Sequence, residues 1–131
     1  MGHDSVKIPG KEPELRVMPL PADMNGNGDI FGGWVMAQCD IAAAIPAMRR
    51  ARGRIATVAV NSFLFKQAIS VGDIVSFYAE IVKVGRTSIT VDIQVYAERH
   101  PANPVVVKVT EAQFTYVAIN DDGSKREVPP A

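Results

Sequence analysis

Residues able to do chemistry crowd one stretch of the chain: acceptor oxygens in a turn-rich loop, paired glycines after it, and a lone carboxylate further on. The loop is Asp23-Met24-Asn25-Gly26-Asn27-Gly28-Asp29, and Asp23-x-Asn25-x-Asn27-Gly28 matches the opening half of an EF-hand calcium loop. Position twelve of such a loop is a bidentate Glu, but Trp34 stands there, and Pro19 and Pro21 forbid the helix that should precede it. A dinucleotide fingerprint fits no better, because in Gly26-x-Gly28-x-x-x-Gly32 the third glycine comes one residue late. The bland alternative is a turn whose Asn and Gly residues accommodate positive φ. Gly32-Gly33 at a helix start points elsewhere. Free N–H groups at a helix N-terminus carry partial positive charge, glycines let a ligand oxygen come close, and such an end suits the developing oxyanion of acyl transfer. Asp40 follows Gly33 by seven residues, two turns on and on the same face, among Met36, Cys39, Ile41, Ala43 and Ala44. A carboxylate there is costly to bury unless hydrogen-bonded or used. The alternative to use is an Asp satisfied by neighbouring backbone.

Weaker candidates lie outside this stretch. Arg49, Arg50, Arg52 and Arg54 fall within six residues and read either as a phosphate clamp or as a solvated helix end complementing the dipole. Lys66, ending a strand, has the same two readings. Phe63, Phe65, Phe77 and Tyr78 read as sheet core, with a pocket lining as the alternative. His3 and His100 lie in a terminal segment and a Pro-flanked loop and complete no Ser-His-Asp or metal-ligand set. Cys39 is the only cysteine, which excludes an internal disulfide or a Cys-based metal cluster, and no metal or cofactor is expected.

Glu14 to Met18 alternates like a short strand closed by Pro19 and Pro21. Gly33 to Ala51 is the one long run of helix formers; Ile41 to Ile45 is apolar on every face, so the helix is expected to be wrapped by other structure. Pro46 should kink it or split off its last turn. After Gly53 the period changes to two. Strands are expected over Ile55–Lys66, Ile74–Val84, Thr87–Glu98 and Val105–Ile119, with Gly85-Arg86 as a hairpin turn. The fold class is therefore α+β: an antiparallel sheet wrapped around one long helix. Residues 1–13 read as a flexible tail in which Gly2-His3 looks like a cloning remnant, 14–120 as the domain, and 121–131 as a C-terminal tail.

The 131 residues are 47% hydrophobic and 21% charged, enough for one domain with a sizeable core. Fourteen Lys and Arg balance fourteen Asp and Glu, so no global field gathers nucleic acid or an anionic membrane. The longest charge-free run, Ile55 to Phe65, is eleven residues, short of the ~20 that span a bilayer. The first twenty residues hold six charged side chains and no apolar stretch to serve as a secretion signal, so a cytoplasmic location is expected.

Met18-Pro-Leu-Pro-Ala-Asp-Met-Asn-Gly-Asn-Gly-Asp-Ile-Phe-Gly-Gly-Trp-Val-Met-Ala-Gln-Cys-Asp-Ile41 resembles the signature of hotdog-fold acyl-CoA thioesterases, the bacterial short-chain group related to cytosolic acyl-CoA hydrolases. Arg52-Gly-Arg-Ile-Ala-Thr-Val-Ala-Val60, Ser70-Val-Gly-Asp-Ile-Val75 and Val84-Gly-Arg-Thr-Ser-Ile89 continue the resemblance, which runs from about Glu14 to Ile119. It implies a hotdog fold and hydrolysis of acyl-CoA to free acid and coenzyme A. It implies Asp40 as catalytic base or nucleophile, Asp29 as a secondary catalytic candidate at the helix mouth, and the Gly33 N–H as the oxyanion donor. Arg86, Thr87 and Ser88 then belong to a hairpin near coenzyme A, with Asn27, Gly32 and Lys66 as further substrate contacts. Cys39 departs from an expected Met, and Pro46 and Ala68 also differ from the pattern.

Gly33 and Asp40 stand about 10.5 Å apart along one helix, at ~1.5 Å per residue. One thioester carbonyl cannot meet both. Two antiparallel helices would bring Gly33 of one subunit beside Asp40 of another, so a two-fold homodimer is expected, and the resemblance implies a hexamer built as a trimer of dimers. Two rivals remain. A hotdog hydratase or dehydratase would want a His near the helix mouth, and a non-catalytic acyl-CoA binding module would not need Asp40.

Overall fold

The computed structural model describes residues 5–131, so Gly2 and His3 lie outside the described residues. Elements follow as β1 (Leu15–Val17), a 3-10 turn (Pro21–Asp23), α1 (Gly32–Ala51), β2 (Ile55–Phe65), β3 (Ile74–Val84), β4 (Ser88–Arg99) and β5 (Val105–Ala118). The five strands form one antiparallel sheet in the order β1-β3-β4-β5-β2. The helix lies across one face. Val75, Phe77, Ile89, Val91, Ile93, Val95, Phe114 and Tyr116 meet Val35, Cys39, Ala42, Ala43, Ala47 and Ala51 of α1 in one buried cluster. Small alanines on that helix face let backbone and sheet approach closely, which is how a single helix fills the sheet's concavity.

The structure refines the expectations for the helix and departs from those for the two terminal segments. The helix runs unbroken through Pro46: no last turn is split off, and the one backbone bond Pro46 cannot make is outweighed by packing on both sides of it, at Ala43 and Ala47. Within the described residues the sheet wraps the helix from one side, as the expected fold requires. The sheet covers one face only, and Ile41 is 53% and Met48 44% exposed on the other. The N-terminal segment is not a free tail over its described part. Val6 N–H donates to Val106 O (2.8 Å), Glu14 N–H to Phe77 O (2.8 Å), and the strap between crosses the outer sheet face, where Pro9 and Lys11 share a shallow cleft with Tyr78. The C-terminal segment likewise docks. Residues 119 to 125 form a return bridge, Arg126 Nε donates to Ile119 O (3.0 Å), and Val128 N–H donates to Arg86 O (2.8 Å). Among the described residues no helix is long and apolar enough to cross a membrane.

Candidate active site

One side chain stitches the loop before α1. Asn25 Oδ1 accepts from the N–H of Asn27 (2.9 Å) and of Asp29 (3.2 Å), while Asn25 N–H donates to Asp29 O (2.7 Å). Asp23 Oδ2 accepts from Leu20 N–H at 2.8 Å. Two of the three side chains that suggested calcium, Asp23 and Asn25, are thus engaged by backbone amides, and Gly28 supplies the positive φ of 84° that the turn requires. Ile30 N–H donates to Ile69 O (2.9 Å), fastening the loop to the segment after β2. Between them opens a cleft of about 350 Å³ lined by Asn25, Asp29, Gly32, Val35, Phe65 and Lys66.

The two glycines differ. A Cβ on Gly32 would stand 3.0 Å from Phe65 Cζ, so the absent side chain is what lets the ring lie over the helix start. Nothing lies within 4 Å of a Cβ on Gly33, whose position is open. Helix geometry leaves the N–H groups of Gly32 and Gly33 without intrahelical partners, and no loop carbonyl takes them among the described residues. The cleft therefore ends on Gly32, and the helix start beside it carries two unspent donors.

Two turns along, Asp40 is half-buried and held by hydroxyls from two strands. Its Oδ1 accepts from Thr57 Oγ1 of β2 (2.9 Å) and from Tyr116 OH of β5 (2.9 Å); Tyr116 OH also faces Asp40 O at 2.8 Å. Its Oδ2 has no partner among the described residues. A carboxylate anchored through one oxygen presents the other as an oriented acceptor, which is what a general base or an attacking carboxylate needs.

The structure brings Asp29, Gly32 and Lys66 to one cleft, with Asn27 on its exposed loop, and puts Asp40 further along the helix. Arg86, Thr87 and Ser88 turn at the opposite end of the protomer, where Arg86 lies 3.9 Å from Glu127. Lys66 stands 3.7 Å from Glu111. The arginine cluster ends the helix: Arg49 pairs with Glu14, Arg50 donates to Pro129 O, Arg54 donates to Asp121 O, and Arg52 caps with φ 53°. Of the aromatics, Phe77 is core, Phe63 is partly buried against it, Tyr78 lies under the N-terminal strap, and Phe65 lines the cleft. The sequence reading takes Asn25 only as a calcium-loop position and leaves out Thr57 and Tyr116. Asn25 had a local signal, an Asx-type acceptor two residues before Asn27, but Thr57 and Tyr116 are ordinary strand formers that only the fold brings to Asp40.

Cys39 is fully buried, and burial, then the neighbouring Asp40, push its thiol up to about 12. It is not a nucleophile poised at neutral pH. Cys39→Ala is expected to keep kcat within about twofold and to cost about 1 kcal/mol from the small cavity, read from a melting curve. The native thiol should resist iodoacetamide at pH 8 over hours.

A long helix on an antiparallel sheet, with glycine amides at its mouth and an anchored carboxylate on its flank, matches a known class. The sequence pattern of the thioesterase superfamily covers residues 27–102, and the chain belongs to that superfamily. It is 46% identical over 123 residues to the acyl-CoA thioester hydrolase YciA of Salmonella typhimurium, with 92% of each chain covered. The hexameric thioesterase y2039 from Yersinia pestis has TM-score 0.86 at 44% identity, covering 95% of this chain and 100% of that one. Cj0915 of Campylobacter jejuni, a hexameric hotdog fold thioesterase, has TM-score 0.87 at 38% identity, with 91% of each chain covered. The hotdog architecture expected from the sequence is the one found.

Proposed function

We propose that this protein is an acyl-CoA thioester hydrolase that releases free acid and coenzyme A, with Asp40 as its base or nucleophile and the Gly33 N–H as its oxyanion donor. The anchored carboxylate carries this reading: Oδ1 is engaged by Thr57 and Tyr116, leaving Oδ2 for a water or for the thioester carbon. The relatives named as acyl-CoA thioester hydrolases support the substrate class. The thioester oxygen, taking on charge as the tetrahedral centre forms, is stabilised at the glycine helix end. Asp29 and Asn25 shape the loop beside it, and Arg86, Thr87, Ser88, Asn27, Gly32 and Lys66 contact the coenzyme moiety.

The acting pair comes from two chains. Within one protomer Gly33 and Asp40 are two helical turns apart, and β2, on which Thr57 sits, is an edge strand. That edge is long and apolar, with Val58, Val60, Leu64 and Phe65 exposed. Such an edge is a template for another strand. Antiparallel pairing of β2 with its copy about a two-fold runs the Thr57 end of one strand against the Phe65 end of the other. Thr57 touches Asp40, and Phe65 covers Gly32. The same operation carries the Arg86 hairpin, beside the start of β2, toward the partner's cleft. The exposed Ile41 and Met48 lie on the helix face that the protomer's own sheet leaves uncovered. A hexamer built of three such dimers, in keeping with the hexameric state named for the relatives, and a cytoplasmic location complete the reading.

The rivals fare less well. His100 sits beside Arg99 in the loop before β5 and does not line the cleft at the helix mouth, so among the described residues a His-based hydratase has no candidate in that cleft. A binding module has no use for a carboxylate anchored by two hydroxyls. Incubation with acyl-CoA esters of increasing chain length, monitored for free thiol, is expected to give turnover of at least one member. Binding of acyl-CoA without thiol release across the whole panel would overturn the hydrolase reading in favour of the module.

A further inference from the structure

We propose that Tyr116 is a positioning residue for the reaction: its phenol fixes the Asp40 carboxylate to the helix backbone, so that Oδ1 is the structural oxygen and Oδ2 the working one. This rests on the reading of Asp40 as base or nucleophile.

Tyr116 lies near the end of the interior strand β5, in register with Thr57 on one side and Ile89 on the other, and is 1% exposed. A buried phenol must place its hydrogen. Both acceptors within reach belong to Asp40: the main-chain O at 2.8 Å and Oδ1 at 2.9 Å. The first is fixed by the helix. A phenol that spans both therefore limits rotation of the carboxylate about its side-chain torsions, while the Phe114 ring, stacked at 15° and 6.3 Å, holds the Tyr116 ring in plane. Thr57 adds a second donor to the same oxygen. The pairing also serves both protonation states. When Asp40 is ionised the phenol hydrogen supports Oδ1; when the carboxyl has taken a proton from water, that hydrogen keeps a partner in the main-chain O.

The electrostatic surroundings are simple. Cys39 is the titratable neighbour on α1, Tyr116 comes from β5 and the uncharged Thr57 from β2, while β3 and β4 turn Val75, Phe77, Ile89 and Val91 toward the helix. Burial and the adjacent carboxylate hold Tyr116 far above the ordinary phenol range, so it remains a donor throughout. Hydrogen bonds donated to a carboxylate favour its charged form, so losing one raises the pH at which it protonates.

The test is the pH dependence of kcat and KM with the best acyl-CoA substrate. Tyr116→Phe is expected to lower kcat about tenfold with KM within about twofold, and to move the acid limb of kcat/KM up by about one pH unit. Replacing Tyr116 by 3,5-difluorotyrosine, a stronger donor of nearly the same shape, should move that limb down by roughly a few tenths of a unit while keeping kcat within about twofold. A Tyr116→Phe enzyme with unchanged limb and kcat overturns the proposal. If that variant does not fold, an unmoved limb in the fluorinated enzyme overturns it instead. Wild-type turnover in Asp40→Asn would be a different failure, that of the Asp40 assignment itself.

Discussion

Asp40→Asn is expected to lower acyl-CoA turnover by about three orders of magnitude while leaving the fold and its melting temperature nearly unchanged. The hydrogen-bond pattern makes this substitution unusually clean. An Asn can turn its carbonyl oxygen to the Oδ1 position and go on accepting from Thr57 and Tyr116, each now 2.9 Å from that oxygen. The amide nitrogen then occupies the Oδ2 position, where a donor stands in place of the acceptor that takes a proton or attacks carbon. Asp40→Ala should be equally inactive but less stable, by about 1–3 kcal/mol, because it leaves the buried Tyr116 hydroxyl with only the main-chain acceptor and removes Thr57's partner. Thiol release and thermal melts on purified proteins separate the two effects. Near-wild-type hydrolysis by Asp40→Asn would remove Asp40 from the chemistry.

The second large effect concerns assembly. Gly33→Pro removes the donor N–H and should be inactive alone; the open space at Gly33 and its place in the first helical turn make Pro tolerable there. Mixed and reassembled with Asp40→Asn, it should form heterodimers in which one site carries both lesions and the other neither. Random reassortment makes half the dimers mixed, each with one intact site, so activity should return to about a quarter of wild type. Differently tagged subunits report reassortment, and circular dichroism reports whether Gly33→Pro has folded. Reassortment of two folded variants without any return of activity would place both groups within one chain.

The fold was legible where side-chain period and burial agree. Ile89, Val91, Ile93 and Val95 alternate in sequence and all four are buried on the helix side of the sheet. The helix was legible from Gly33 to Ala51, but its passage through Pro46 was not, because propensity is local and the packing of Ala43 and Ala47 is tertiary. The strap and the C-terminal return were also invisible, since single backbone bonds such as those of Val6 and Val128 leave no pattern in side-chain types. For the candidate site, the glycine helix end and Asp40 announced themselves by spacing. Their supports did not: Thr57 lies 17 and Tyr116 lies 76 residues from Asp40 in the chain, and both fill positions any strand would give them.

The two margins of the sheet are unequal, and this bears on how the chain behaves at high concentration. On one side β2 offers eleven residues; on the other β1 offers three, soon followed by Pro19 and Pro21, which have no N–H to donate. A sheet that can be extended from both margins is a fibre in waiting. Beyond β1, residues 78–84 of β3 are also unpaired on that side, so only the β2 margin is addressed by the proposed pairing, in which a two-fold contact consumes that margin in both molecules at once. Under that proposed pairing, growth along β2 stops after one addition, and the long apolar strand is closed off rather than left as a template.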